Sequence, residues 1–430
     1  MRYTVEDLEI MKLMIRTALA VTVLLTSTAF AQPTPLKPVT LYNFACCDGP
    51  ISVLINGGKG LLFGTTYNGK PGKGTAFELI GGPNGYTEKV LYNFESDANP
   101  SGVIQVGTAL YGTAYDGGGA GAERYGSVFE LTPPTTGNKW VQTVLYNFMA
   151  GADGADPKAN VVMGANGSFY GTTSSGGPIN AGTVFELTPP SAPGGAWTEK
   201  VIYTFMDGSD GGVPLGPLVI AQNGDLFGTT SVGGNTACLG GCGTVFALAP
   251  PATAGGAWKF ATVYSFKGGA DGAAPSAGLV IGTNKVLYGA TPYGGTGTCT
   301  NSLPYAGCGT ISQLTPPASA GAGWTETILH TFTGGADGAN PMGALALGSN
   351  GALFGTTVAG GSSNLGTTFE LTPPLRPGRT WRESLYSFTG MNGDGASPTA
   401  GLTLGGGGVL YGSTNSGGTL GGGTAFEITF

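Results

Sequence analysis

Five aspartates stand in one repeated context, Asp-Gly-x-x-Pro, at Asp153, Asp210, Asp271, Asp337 and Asp394. Gathered in space, their carboxylates would offer calcium the oxygen ligands it prefers. Taken singly, the motif is a turn: Asp caps backbone N–H groups, Gly takes a positive φ, and Pro opens the next extended run. Repetition favours the turn, and no EF-hand spacing is present. Calcium stays as the alternative, and no other cofactor is expected. A second set, Glu78, Glu130, Glu186, Glu370 and Glu427, follows a phenylalanine each time. Two of these at a defined separation would suit glycoside hydrolysis, but one per repeat at one place reads as structural. Catalysis is better sought in residues that break the repeat, and Asp116 with Glu123 is the candidate acid–base pair. His330 is the single histidine and stands where other repeats have tyrosine, so it reads as a variant of a packing position. A multi-histidine metal site is therefore excluded, as is a Ser-His-Asp triad elsewhere. Tyr67, Tyr115, Tyr125, Tyr293 and Tyr305 are candidate binding residues, able to stack on sugar rings or anchor a protein partner. The alternative is that they pack over their own loops.

The elements that position these residues repeat seven times. An aromatic–Gly–Thr/Ser/Ala core recurs at Phe63, Tyr111, Tyr170, Phe227, Tyr288, Phe354 and Tyr411, about 58 residues apart. Each repeat holds short runs rich in β-branched and aromatic residues, punctuated by Gly, Pro, Asn and Asp, which is strand-and-turn chemistry. Asn166-Gly167, Asn223-Gly224 and Asn350-Gly351 lie where a tight primed turn would close a hairpin. Four runs per repeat make a four-stranded antiparallel meander, strands a to d. Strand a is small and strand d aromatic, the taper of a propeller blade around a channel. The first repeated run, Val39 to Phe44, is a lone strand d, and the last repeat stops after strand c. The expected fold is therefore an all-β, seven-bladed propeller closed by the N-terminal strand completing the last blade. A β-solenoid or two stacked sheet domains are the alternatives.

Leu-Tyr-x-Phe, Asp-Gly-x-x-Pro, Leu-Tyr-Gly-Thr-Thr and Gly-Thr-Val-Phe-Glu-Leu-Thr-Pro-Pro, the last at Gly182 to Pro190, resemble the Gloeo/Verruco (GloVer) tandem-repeat family over roughly residues 39–430. The resemblance implies a bacterial, exported protein. It brings no catalytic residues. Some members carry a C-terminal anchor, and ending at Phe430 inside the last strand argues against one here.

Residues 1–31 read as a cleaved signal peptide, with the true start at Met11 or Met14 and Ala29-Phe30-Ala31 as the cleavage site. A linker over 32–38 leads to a single domain over 39–430. No later segment is long and apolar enough to span a bilayer. The chain carries 18 Lys and Arg against 25 Asp and Glu, without a basic cluster. Nucleic acid and anionic membrane surfaces are therefore poor partners. All six cysteines lie in the exported part, where disulfides form. Cys238 with Cys242, and Cys299 with Cys308, are local staples. Cys46 and Cys47 form a vicinal bridge or pair outside the chain, and a zinc site from converging thiolates is the remaining alternative.

In a meander the b–c and d–a loops share one face. The b–c loops vary most and carry cysteines, and every Asp-Gly-x-x-Pro loop maps to the same side. Variable, stapled loops on a rigid scaffold are where binding sits. The expectation is an exported, monomeric, non-catalytic propeller, periplasmic or extracellular, that recognises a polysaccharide or envelope protein through this face. The alternatives are a glycan-active enzyme using loop carboxylates and a purely structural envelope protein.

Overall fold

Thr183-Val184-Phe185-Glu186-Leu187-Thr188 states the folding rule of the chain. Thr183, Val184, Phe185 and Leu187 are buried, Glu186 in their midst is half-buried, and Thr188 at the end is exposed. Such a strand must be covered on both faces. The computed structural model describes residues 36–46, 48–67, 73–94, 99–117, 124–192, 194–253, 255–299, 305–319, 321–376, 378–391 and 393–430. Residues 1–31, Cys47 and Glu123 lie outside the described residues.

The described strands form a seven-bladed β-propeller of antiparallel sheets. Blade 3 is typical, with strand a at Val162–Met163, b at Phe169–Thr173, c at Thr183–Thr188 and d at Thr198–Thr204. Strand a is only two residues long in blades 3 to 7. Strands c, counted around the ring, are Thr75–Gly82, Ser127–Thr132, Thr183–Thr188, Thr244–Ala249, Thr310–Thr315, Thr367–Thr372 and Gly421–Thr429. Blade 7 receives its strand d from the N-terminal side. Val39–Ala45 pairs antiparallel with Gly421–Thr429, placing Val39 opposite Glu427 and Asn43 opposite Thr424. Asn43 Oδ1 also accepts the Thr419 N–H at 2.8 Å.

The core lies between the blades. The phenylalanine that ends each strand d packs edge-on against the strand-c phenylalanine of the next blade. The pairs Phe94–Phe129, Phe148–Phe185, Phe205–Phe246 and Phe332–Phe369 have centroids 5.0, 5.2, 5.2 and 5.3 Å apart. Phe44–Phe77 repeats the contact at 5.1 Å across the closure, so the closing junction is built like the others. Blade 5 departs from the rule. Ser312 stands in the phenylalanine's place and donates to Glu326 Oε1 at 2.7 Å.

A second set of bonds joins the blades near the axis. The strand-b hydroxyls of Thr113, Thr229 and Thr356 donate to the carbonyls of Ala159, Ala277 and Ala400 in the following blade, at 2.8, 3.0 and 3.0 Å. Ser413 reaches Ser52 O at 3.4 Å across the closure. Where blade 5 has Ala290, this hydroxyl is missing from the sequence.

The a–b turns differ from expectation. Gly164 to Gly167 is closed by a Gly167 N–H to Gly164 O bond of 3.0 Å, and only the glycine takes a positive φ, +80°. A three-residue loop of this kind accommodates Asn166 in a right-handed conformation, where its side chain caps Ser168 N–H at 3.1 Å. Gly351 closes the same loop on Gly348 at 2.9 Å. The two-residue primed turn occurs instead at Asn284-Lys285 of blade 5, where both φ values are positive, 56° and 59°.

Each residue of Asp-Gly-x-x-Pro holds a different neighbour. A Cβ on Gly154, at φ +97°, would fall 2.3 Å from Thr173 Oγ1 and 2.7 Å from Thr183 Oγ1 of blade 3. Pro214 of the next motif packs on Gly182, where a Cβ would meet Pro214 Cδ at 2.8 Å and Thr173 O at 2.3 Å. The residue before the proline is left-handed throughout: Asp156, Val213, Ala274, Asn340 and Ser397 have φ of 52–58°. A β-branched residue is strained there. Val213 is held by bonds on both sides, its N–H to Ala181 O at 2.8 Å and its carbonyl to Ser231 N–H at 3.2 Å.

Three outcomes follow for stability. Val213→Asn should stabilise the fold by about 1 kcal/mol in denaturant titration, because asparagine tolerates the left-handed region that valine resists. Gly194, at φ +79°, has open space around its missing Cβ. Gly194→Ala should therefore cost about 1–2 kcal/mol from backbone conformation alone. Gly182→Ala should cost a further 1–3 kcal/mol, roughly, from the clash with Thr173 and Pro214. Equal losses for the two alanines would refute the close-approach account.

Candidate binding face

The d–a loops do not stand apart from the b–c loops; the two sets are woven together. Ala155 bridges Ser175 of blade 3, and Asp156 N–H bonds Tyr125 O of blade 2 at 2.9 Å. Ala273 bridges Tyr293, while Ala274 N–H bonds Cys242 O at 2.9 Å. These d–a loops thus fasten the b–c loops of the two blades they connect. Among the described residues the two loop sets form a backbone mesh.

The motif aspartates are part of this mesh. Asp153, Asp210 and Asp271 accept the hydroxyls of Tyr146, Tyr203 and Tyr264 at 3.1, 3.0 and 2.7 Å. They also accept the backbone N–H groups of Met149, Met206 and Lys267 at 2.8, 2.8 and 2.6 Å. Asp394 takes the Thr389 N–H at 2.7 Å and the Tyr386 hydroxyl at 3.3 Å. At Asp337 the tyrosine's place is taken by His330, whose Nε2 lies 3.2 Å from Oδ1. Among the described residues no three of the five aspartates bring their oxygens together.

Glutamates from the following blade complete three of these junctions and the closing one, outside any motif singled out in the sequence. Tyr42 donates to Glu88 at 3.1 Å, and Glu199, Glu326 and Glu383 stand beside Asp153, Asp271 and Asp337. Three of them follow a tryptophan by two residues, at Trp197, Trp324 and Trp381, a spacing visible in the chain. Burial, reinforced by the Asp153 charge, pushes the Glu199 carboxyl up to about 7. Burial and the Asp337 carboxyl push Glu383 up to about 9. Burial would also raise Asp337, but hydrogen bonds from His330, Glu383 and Thr333 hold it down at about 2.

The strand-c glutamates are engaged within their own sheets. Glu130 and Glu186 accept the hydroxyls of their cross-strand partners Tyr111 and Tyr170 at 2.7 and 3.0 Å. Glu78 pairs with Lys89 at 2.8 Å, and Glu370 accepts Thr372 Oγ1 at 3.3 Å. Glu427 lies across from Tyr411.

The five candidate tyrosines fall into three environments. Tyr67 of blade 1 and Tyr115 of blade 2 are nearly parallel, 18° apart with centroids at 6.4 Å, and their hydroxyls bond at 2.9 Å. Tyr67 is 38% exposed. Burial, then the Tyr67 hydroxyl, raises the Tyr115 phenol well above its ordinary range. Polar groups surround this pair. Asp116 accepts Asn99 Nδ2 at 2.8 Å, and the Lys158 ammonium lies 6.0 Å from the Tyr115 ring centre. Tyr293 and Tyr305 also stack, at 5.3 Å and 22°, but they pack on the cluster that holds Cys242, and Tyr305 donates to Gly241 O at 3.1 Å. That contact sews the blade 5 loop to the blade 4 loop. Tyr125 packs on the cluster around Phe148 and Phe185.

Disulfides join Cys238 to Cys242 and Cys299 to Cys308, each within one b–c loop. Cys46 is exposed at the start of the closing d–a loop. Among the described residues no helix is long and apolar enough to cross a membrane.

Comparison with solved structures returns propellers of distant sequence. The periplasmic gluconolactonase PpgL of Pseudomonas aeruginosa aligns at 15% identity and a TM-score of 0.50, over 86% of this chain and 98% of that one. PorZ of Porphyromonas gingivalis, a surface component of the type-IX secretion system, aligns at 13% identity and a TM-score of 0.47 over 83% of this chain. This chain spans only 44% of PorZ. Trypanosoma rangeli sialidase aligns at 9% identity and a TM-score of 0.42, over 81% of this chain and 58% of that one. No curated protein matches the sequence. The Gloeobacter/Verrucomicrobia repeat matches at residues 32–236, 118–304 and 296–430, which together reach across every blade. The chain belongs to the Gloeobacter/Verrucomicrobia repeat family.

Proposed function

We propose that the protein is an exported, non-catalytic binding propeller that takes a polysaccharide on the b–c/d–a face, with Tyr67 and Tyr115 as its contact. The observation that carries this reading is the tyrosine pair. Two near-parallel rings from adjacent blades are bonded at their tips, with one ring substantially exposed. Aromatic faces of this kind receive the apolar side of a sugar ring, and Asp116, Asn99 and Lys158 supply groups for its hydroxyls. Pre-bonding the two phenols also reduces the ordering needed on binding. Two loop disulfides fit an oxidising compartment. In this reading residues 1–31 are a signal peptide removed before Gln32, and the mature chain acts as a monomer.

A protein partner from the cell envelope is the second reading, and exposed apolar side chains favour it. Met149, Met206 and Met391 on d–a loops, with Leu239 and Leu420 on b–c loops, are all more than half exposed. Flexible methionines of this sort adapt to apolar partner surfaces.

Binding to glycan and polysaccharide arrays by protein beginning at Gln32 separates the readings. Tyr67→Ala and Tyr115→Ala should each weaken a hit by about tenfold, the loss of roughly one stacking contact, without product release by the wild type. Asp116→Asn should leave the bound polysaccharide intact. A blank array removes the polysaccharide reading and leaves the envelope protein.

A further inference from the structure

Five junctions between blades are built on the Asp-Gly-x-x-Pro motif, and in four of them a tyrosine donates to its aspartate, so the one with a different donor is informative. Between blades 5 and 6, His330 occupies the position that holds Tyr146, Tyr203, Tyr264 and Tyr386 elsewhere. A buried phenol can only hydrogen-bond a neighbouring carboxylate there. An imidazole offers a nitrogen lone pair, and two carboxylates already face it. His330 Nε2 lies 3.2 Å from Asp337 Oδ1 and 3.5 Å from Glu383 Oε1, and all three ligand atoms lie within 4.8 Å of one another.

We propose that His330, Asp337 and Glu383 form a binding site for a divalent transition metal ion of the zinc type, with the remaining position open to solvent. Zinc bonds to imidazole nitrogen and carboxylate oxygen are about 2.0–2.2 Å, which sets tetrahedral donors roughly 3.3–3.6 Å apart. The two separations from the imidazole match that edge length with little movement. A mixed nitrogen and oxygen set also suits zinc better than calcium or magnesium, which take oxygen alone.

Independent support comes from Glu383. Its Oε1 is shut off from solvent and has no hydrogen-bond partner, although it points to the shared space beside His330. A buried carboxylate oxygen without a donor is costly, and a cation would satisfy it. The same ion would lie between the two adjacent carboxyls of Asp337 and Glu383. The three side chains come from a strand d, a d–a loop and the next strand d, all fixed by the blade framework. The side chains remain about a fifth exposed, at 20, 18 and 18%, so an ion has a path in.

The test is titration of the metal-stripped full chain with zinc sulfate, followed by calorimetry, thermal denaturation and metal analysis after desalting. Wild type should retain one zinc per chain, and its thermal midpoint should rise by a few degrees at saturating zinc. His330→Tyr restores the tyrosine of the other junctions, so it should fold normally, lose zinc affinity by at least tenfold and show no thermal shift. Glu383→Gln is a second variant that preserves shape and should weaken binding similarly. Unchanged zinc affinity in either folded variant would overturn the site, as would no retained zinc in the wild type. Cobalt gives an independent readout, since a tetrahedral visible spectrum should appear with wild type and vanish with His330→Tyr.

Discussion

A closed ring of sheets depends on the junction between one blade and the next, and here that junction is a polar clasp over an aromatic contact. The Asp-Gly-x-x-Pro loop grips in three directions at once. Its aspartate ties the strand-d tyrosine of the blade just finished, its glycine seats on the threonine pair of the blade to come, and its proline rests on the glycine that opens the previous strand c. Beneath it, the phenylalanine that ends strand d meets the phenylalanine of the next strand c. Each junction is therefore shared between two repeats. No single repeat buries its own hydrophobic face, which is why the architecture exists only as an array.

This clasp also explains which parts of the structure were legible in the chain. Strand type, blade number and closure follow from local patterning, and the lone strand Val39 to Phe44 announced its partner. The turn character of Asp153 and its counterparts was legible too, since Asp, Gly and Pro have separate backbone roles. Their tyrosine partners were not singled out, although Tyr146 and Asp153, Tyr203 and Asp210, and Tyr264 and Asp271 keep one spacing. Glu199 and Glu383 were hidden for a different reason. They reach the clasp from the following blade, across a distance in sequence that no local pattern encodes. The a–b turns show a subtler limit, because Asn-Gly serves a three-residue loop as readily as a primed two-residue one.

Function was harder to read because repetition serves the scaffold first. The glutamates that recur on strand c are used up by their own sheets, as Glu130 and Glu186 show. Information about a ligand lies in departures from the repeat, and these separate only in three dimensions. Tyr67 and Tyr115 meet across two blades at an open surface, whereas Tyr293 and Tyr305 meet equally well and are spent on joining loops. Sequence alone gave all four the same reading.

The strand supplied by Val39–Ala45 imposes an order on biogenesis. It is among the first parts of the propeller to be synthesised, yet its partner Gly421–Thr429 is the last. The contacts that lock it, such as Asn43 to Thr419, span 376 residues. Blades 1 to 6 can assemble in succession as the chain emerges, while this strand waits without its sheet. Until it docks, blade 7 presents an open edge and the first segment remains a loose end accessible to proteases and chaperones. The last hydrogen bonds to form thus act as a completeness check, since a chain truncated anywhere before Gly421 has nothing for its own beginning to bind.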